Sequence, residues 1–259
     1  MPVKSPYNRS FRPMALTIAG YDPSGGAGVL ADVKTFETMG VYGLAIITCN
    51  THQNDVSFKG VTWIANKEKE KNMALLAERF PVKAIKLGMH KDLEDVAHSI
   101  KFSNKYFPTI PIVWDPVLAA SAGFDLNIKI GKNVLADILS KLTLITPNQQ
   151  EAEKLGNSNN GKEAASNLSD KCPVLLKGGH SSDKKHSTDY LFVHRENKKE
   201  YTSPRIKGTE KHGSGCVLSA AITASLARGD NLEETIDKGK KYVTRFLKSN
   251  KTLLGYHSN

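Results

Sequence analysis

Short apolar runs that stop at glycine or a polar cluster, each followed by residues at helical spacing, recur along this chain and limit its fold more than any other feature. Met14-Ala-Leu-Thr-Ile-Ala19 ends at Gly20 and has the pattern of a buried strand. Gly28 to Thr38 then sets Val29, Leu30, Val33 and Phe36 at helical spacing. Further strands are predicted at Leu44 to Thr48, Ala84 to Leu87, Ile112 to Trp114, Leu142 to Ile145 and Val174 to Leu176. Helices are predicted near Lys67 to Arg79, Leu93 to Lys105, Val134 to Leu139 and Gly161 to Leu168. Such alternation predicts an α/β fold with a parallel sheet covered by helices on both faces. Tyr190 to Val193, a turn near Glu196-Asn197, and Glu200 to Ser203 predict an antiparallel hairpin at one edge. Gly215 to Arg228 and Leu232 to Lys248 predict two closing helices, the second with Asn231 as its N-cap.

No repeat or linker divides this pattern, so residues 14–259 are expected to form one domain behind a flexible arm over residues 1–13. The longest apolar runs, Gly43 to Cys49 and Val217 to Leu226, are too short or too polar to span a bilayer. No signal-peptide core follows the basic N-terminal residues, and a cytoplasmic protein is expected. Cys49, Cys172 and Cys216 are an odd set without CxxC spacing, which argues against a disulfide framework and a zinc site. The net charge of +10 raises the question of nucleic-acid binding. The lysines, however, are scattered and interleaved with acidic residues, the pattern of a solvated surface.

In sheets of this type, ligands bind in the crevice beyond the carboxyl ends of the strands. The unusual segments fall there: Gly20 to Gly28, Asn50 to Asn54, Gly88-Met89, Asp115 to Gly123, Thr146 to Glu151 and Lys177 to His180. In His212-Gly-Ser-Gly-Cys216, three small residues precede an apolar helix, so backbone N–H groups can converge on an anion. The same field is expected to lower the pKa of Cys216 and favour a thiolate. A glycine-rich turn with an inert cysteine fits this segment equally well when it is taken alone. Gly20 to Gly28 is a second such turn, without GxGxxG spacing, and no GxxxxGK[ST] occurs anywhere. Asp32, one turn into the following helix, could face a ligand held there. Asn148 and Glu151 are spaced to address one Mg²⁺ ion or its waters, although helix capping explains Asn-x-x-Glu more simply.

Taken together, these segments occur in the order of one family. Ala15 to Gly28, Asp32 to Thr35, Gln53-Asn54, Lys86 to Met89, Asp115 to Val117, Thr146 to Asn148, Lys177 to His180 and His212 to Cys216 carry the resemblance. The chain closely resembles the hydroxymethylpyrimidine/phosphomethylpyrimidine kinases of thiamine biosynthesis, in the ribokinase superfamily, from about Ala15 to Leu247. The resemblance implies a three-layer α/β/α sandwich with a mostly parallel central sheet. It implies ATP and Mg²⁺ as cofactors and two successive phosphorylations, of the hydroxymethylpyrimidine and then of its monophosphate. It places Gln53 on the pyrimidine edge, with Gly20, Asp32, Met89 and Val117 lining the pocket. Cys216 falls at the catalytic base, and Gly213, Ser214 and Gly215 at the anion hole. Asn148, Lys177, Gly179 and Lys240 fall at ATP, and Glu151 at the metal, through water. A homodimer without nucleic-acid or membrane partners is implied as well.

Three positions depart from the family pattern. Tyr21 replaces a small residue, Ala119-Ala-Ser-Ala122 lacks a common lysine, and Lys211 stands where threonine is usual. A pyridoxal kinase and a non-catalytic pyrimidine-binding sensor are the alternative readings.

Overall fold

The computed structural model describes residues 11–120, 124–125, 130–179, 183–206, 208 and 210–258. Most of the expected N-terminal arm (residues 1–10), Ser121 and Ala122 of the departing segment, and His180 lie outside the described residues. The elements run β1 (Met14–Tyr21), α1 (Gly28–Thr38), β2 (Tyr42–Gln53), β3 (Phe58–Trp63), α2 (Asn66–Ala77), β4 (Val82–Leu87), α3 (Leu93–Tyr106) and β5 (Ile112–Trp114). They continue with β6 (Ala119–Ala120), β7 (Phe124–Asp125), α4 (Lys132–Leu139), β8 (Leu144–Ile145), α5 (Gln149–Gly156), α6 (Gly161–Leu168) and β9 (Val174–Leu176). The chain closes with β10 (His186–Val193), β11 (Glu196–Pro204), α7 (Ser214–Ala227) and α8 (Leu232–Lys248).

Nine strands form one sheet in the order β11-β10-β9-β8-β5-β4-β1-β2-β3, and β6 pairs with β7 apart from it. The six strands from β9 to β2 are parallel, as the alternation predicts. Both edges are antiparallel, not one: β10 and β11 close one side and β3 the other. The sequence hid β3 because β2 runs past its apolar part through Asn50, Thr51 and His52, and pairs there with Phe58–Trp63. The β10–β11 turn sits at His194-Arg195, two residues before the expected place. Both residues have positive φ, 49° and 66°, the left-handed pair a tight hairpin needs, without the glycine or asparagine that normally marks it.

Successive side chains on a strand point to opposite faces, and this sorts the core. Met14, Leu16 and Ile18 of β1, Ile85 and Leu87 of β4, and Ile112 and Trp114 of β5 pack with α2 to α6. Ala15 of β1, Ala84 of β4 and Val113 of β5 face the other way, toward α1, α7 and α8. Along β1 the chain steps outward to β2, whereas from β4 onward it steps in the opposite direction. The gap between β1 and β4 is therefore the point where the winding reverses, and the crevice opens there. Helix α7 is buried almost all round between this sheet face and α8, which accounts for the apolar run from Val217.

Candidate active site

Two glycine turns interlock above the crevice. Asp22 accepts hydrogen bonds from the backbone N–H of Ser24 and Ala27, both at 2.9 Å, and from the Ser24 hydroxyl. His212 Nε2 lies 2.9 Å from the same carboxylate, 190 residues further along the chain. Burial opposes the Asp22 charge, but the bonds from His212 and Ser24 outweigh it and hold its carboxyl below the usual range. Gly213 has φ 74°, and a Cβ there would collide with the Gly26 carbonyl. Gly28 is likewise left-handed, with no room beside the Gly20 carbonyl. Both glycines are therefore required by space as well as by backbone angle.

Beneath these turns lies a buried ion pair. Thr17 of β1 and Lys86 of β4 alternate onto the same sheet face as Ala15 and Ala84, so an ammonium is fixed inside the core. Asp32 of α1 meets it at 2.8 Å and accepts 2.6 Å from Thr17 Oγ1. Neither charged side chain is exposed at all, so Asp32 sits under the crevice and not on its wall. Its Oδ1 is buried without a partner. Burial pushes the Asp32 carboxyl up against the opposing pull of Lys86. Burial also opposes the Lys86 charge, but Asp32, Cys216 and Asp115 outweigh it and hold the ammonium above its ordinary range.

Cys216 is half-buried in the first turn of α7, and the charges of Lys86, Asp115 and Asp32 all reach its sulfur. Enclosure pushes its thiol up to about 11, although Lys86 and a hydrogen bond from the Gly28 backbone pull the other way. The expectation of a lowered pKa is therefore corrected. Desolvation and the nearby Asp115 and Asp32 carboxylates raise it more than Lys86 and the Gly28 bond lower it.

The adjoining side of the crevice carries Lys177. Its Nζ lies 2.7 Å from Asp115 and 3.7 Å from Glu151. Asp115 also accepts from Ser219 Oγ of α7 at 3.1 Å and from Thr146 Oγ1 at 3.3 Å. Burial opposes its charge, yet Lys177 and Lys86 hold its carboxyl below the usual range. A Cβ built on Gly215 would stand 3.3 Å from Lys177 Nζ, so the amino end of α7 faces this pair closely. Asn148 and Glu151 form a full capping box, each side chain accepting from the other's backbone N–H, at 2.9 and 2.7 Å. Glu151 is buried, which pushes its carboxyl up to about 7 despite Lys177.

Lys240 is buried in α8 and donates to Asp189 Oδ2 at 2.7 Å; Asp189 Oδ1 accepts the Gly178 N–H at 2.8 Å. Lys240 thus acts on the Lys177–Gly179 turn through a carboxylate. Gly178 has no room for a Cβ beside the Thr188 carbonyl, whereas Gly179 is exposed and open. At the crevice floor, a Cβ on Gly20 would lie 3.0 Å from Cys49 Sγ and 3.6 Å from Met89 Sδ. Thr48 Oγ1 fixes the Met89 carbonyl at 2.6 Å. Val117 is half-buried just past Asp115, and half-buried Gln53 ends β2 beyond the stretch that pairs with β1. The structure thus unites Gly20 with Met89, and Gly215 with Lys177 and Asp115, while Gln53 stands off on the next strand. Sequence reasoning left Lys86, Asp22 and Asp189 unassigned. The signal for Lys86 was a lysine inside an otherwise apolar strand.

A mostly parallel sheet with helices on both faces, two interlocked glycine turns and a helix amino end facing a lysine–aspartate pair define a ribokinase-like small-molecule kinase. Its family follows from direct comparison. The chain belongs to the phosphomethylpyrimidine kinase family, whose model matches residues 22–259. It is 35% identical over 250 residues to the hydroxymethylpyrimidine/phosphomethylpyrimidine kinase of Aquifex aeolicus, covering 93% of this chain and 96% of the relative. Among solved structures it is similar to the pyridoxal kinase of Staphylococcus aureus in complex with AMP-PCP (TM-score 0.80, 28% identity, 93% and 89% of the two chains). It is also similar to the phosphomethylpyrimidine kinase of Clostridium difficile (TM-score 0.73, 31% identity, 90% and 98%). No helix among the described residues is long and apolar enough to cross a membrane.

Proposed function

We propose that this chain phosphorylates 4-amino-5-hydroxymethyl-2-methylpyrimidine with ATP, and then phosphorylates the resulting monophosphate, in thiamine biosynthesis. The observation that carries this reading is the amino end of α7, Gly213 to Cys216, set against Lys177 and Asp115 with Cys216 beside Lys86. Backbone N–H groups there suit the charge that spreads over a transferring phosphoryl group. In the first step the acceptor oxygen attacks the γ-phosphorus, the bond to the β-phosphate oxygen breaks, and ADP leaves. The acceptor proton passes to Cys216 Sγ, whose thiolate is the minor form at neutral pH and is the form that Lys86 and the Gly28 backbone hydrogen bond favour. Gln53, Met89, Val117 and Gly20 hold the flat ring, and Asp32 acts from below by fixing Lys86. Asn148, Lys177 and Gly179 receive the nucleotide, and Lys240 shapes that turn through Asp189.

Asp115 and Glu151 offer carboxylate oxygens on either side of Lys177, the donor type that Mg²⁺ takes. The described residues hold no cluster of three or more His, Cys, Asp or Glu. The ion binds with few protein carboxylates, using waters and phosphate oxygens for the rest. Glu151 and Asp115 would hold it, and when bound it supplies charge neutralisation at the phosphates. ADP release measured with hydroxymethylpyrimidine, its monophosphate and pyridoxal as separate acceptors tests the proposal. Turnover on both pyrimidines is expected. Turnover on pyridoxal alone would move the assignment to the second reading, for which the likeness to a pyridoxal kinase is the support.

A further inference from the structure

Lys211 stands at the entrance to the His212–Cys216 loop and is 6% exposed. Among the described residues no carboxylate pairs with it. Its Nζ donates instead to the Asn250 carbonyl and to Asn250 Oδ1, each at 2.7 Å, and to the Thr252 carbonyl. An ammonium has three N–H donors, and here all three end on oxygens of the chain that follows α8. The next residue repeats the connection, with the His212 N–H donating to the Leu253 carbonyl at 2.9 Å.

The segment that supplies these carbonyls is itself tied down. Asn250 Oδ1 accepts from the Thr252 N–H and Asn250 Nδ2 donates to the Leu254 carbonyl, both at 2.9 Å. Ser249 Oγ accepts the Tyr256 N–H at 2.8 Å. The His257 ring sits 4.9 Å from Phe246, with its Nδ1 3.1 Å from the Tyr242 hydroxyl. A Cβ on Gly26 would meet both His212 and Leu254, at 2.6 and 2.7 Å, so the segment also touches the first glycine turn.

We propose that Lys211 and residues 249–257 form a positioning strap that sets the backbone of Gly213 to Cys216 for phosphoryl transfer without touching substrate. The proposal rests on the phosphoryl-receiving role given to that loop. His212 is pinned on both sides, its ring to Asp22 and its N–H to Leu253, and Gly213 turns left-handed immediately after it. The direction of the following N–H groups therefore depends on where His212 is held. A small displacement there is enough to cost catalysis heavily while binding survives. Lys211 is a positioning residue.

The test compares wild type, Lys211→Met, Lys211→Ala and a chain ending after Ser249. Hydrogen exchange on the protein without acceptor is expected to quicken at the amides of residues 212–217 in all three variants and to remain unchanged in α3. With whichever acceptor wild type uses, kcat is expected to fall about tenfold or more, with both KM values within about twofold. Added ethylammonium is expected to restore part of the kcat of Lys211→Ala and to leave wild type unaffected. Wild-type kcat in Lys211→Met overturns the proposal, as does a uniform rise in exchange along the chain with a matching fall in Tm. Failure of wild type on the pyrimidine would overturn the substrate assignment and leave the exchange result standing.

Discussion

Lys86 and Asp32 meet at 2.8 Å with neither side chain open to solvent, directly below the turn that carries Cys216. Lys86→Met would leave a buried carboxylate without its cation. A loss of about 3–5 kcal/mol in stability to urea is expected. The double variant Asp32→Asn/Lys86→Met removes both charges and is expected to recover much of that loss while remaining inactive. Equal destabilisation of single and double variants would show that packing, not charge pairing, governs this site.

Cys216 is a thiol at neutral pH, because its pKa is pushed up to about 11. Alkylation by iodoacetamide is expected to be slow at pH 7 and to climb with pH. Cys216→Ala is expected to slow the first phosphorylation far more than the second. The second acceptor is a phosphate, already largely ionised at neutral pH, and needs a base less. Equal losses in both steps would remove Cys216 from proton transfer.

Glu151 carries a folded-state pKa raised from 4.5 to about 7. Between those values the folded protein binds more protons at this group than the unfolded chain does. Its contribution to stability is therefore present at low pH and is lost as pH rises toward 7. Activity should run the other way, since the ionised carboxylate is the form that would hold a metal ion. kcat/KM for ATP is expected to rise through pH 7. Glu151→Gln keeps an acceptor for the Asn148 N–H and is expected to flatten both profiles, which melting curves and rates across pH 5–9 would check.

Lys240→Met leaves the Asp189 carboxylate with the Gly178 N–H as its remaining hydrogen-bond donor among the described residues. The nucleotide turn loses its anchor, and KM for ATP is expected to rise about tenfold, an energy of about 1.4 kcal/mol, with acceptor KM unchanged. A larger change in acceptor KM would place Lys240 at the other end of the crevice.

The parallel order of the sheet, the α8 start at Asn231 and both glycine turns were legible because they rest on local spacing. Asn231 does cap α8, accepting the Glu234 N–H at 3.0 Å. The β3 strand was not legible, because its partner residues at the end of β2 are polar and signal a loop. Lys86 was left unassigned because its partner Asp32 lies 54 residues away and is brought to it only by the fold. The Cys216 prediction failed for a related reason: a helix terminus can be read from sequence, but the enclosure that opposes it depends on contacts far apart in the chain. Lys211 could be noted as a departure, yet its partners begin 39 residues later.

Beside the His212–Asp22 contact the two glycine turns meet backbone to backbone, Gly213 against Gly26. For protein engineering this divides the crevice into positions that can be randomised and positions that cannot. A library at Gly28 or Gly213 would yield misfolded loops and no new acceptors. Tyr21, Gln53, Met89 and Val117 are only half-buried and own side chains, so under the proposed function acceptor range would be open to redesign there while the phosphoryl end stays fixed.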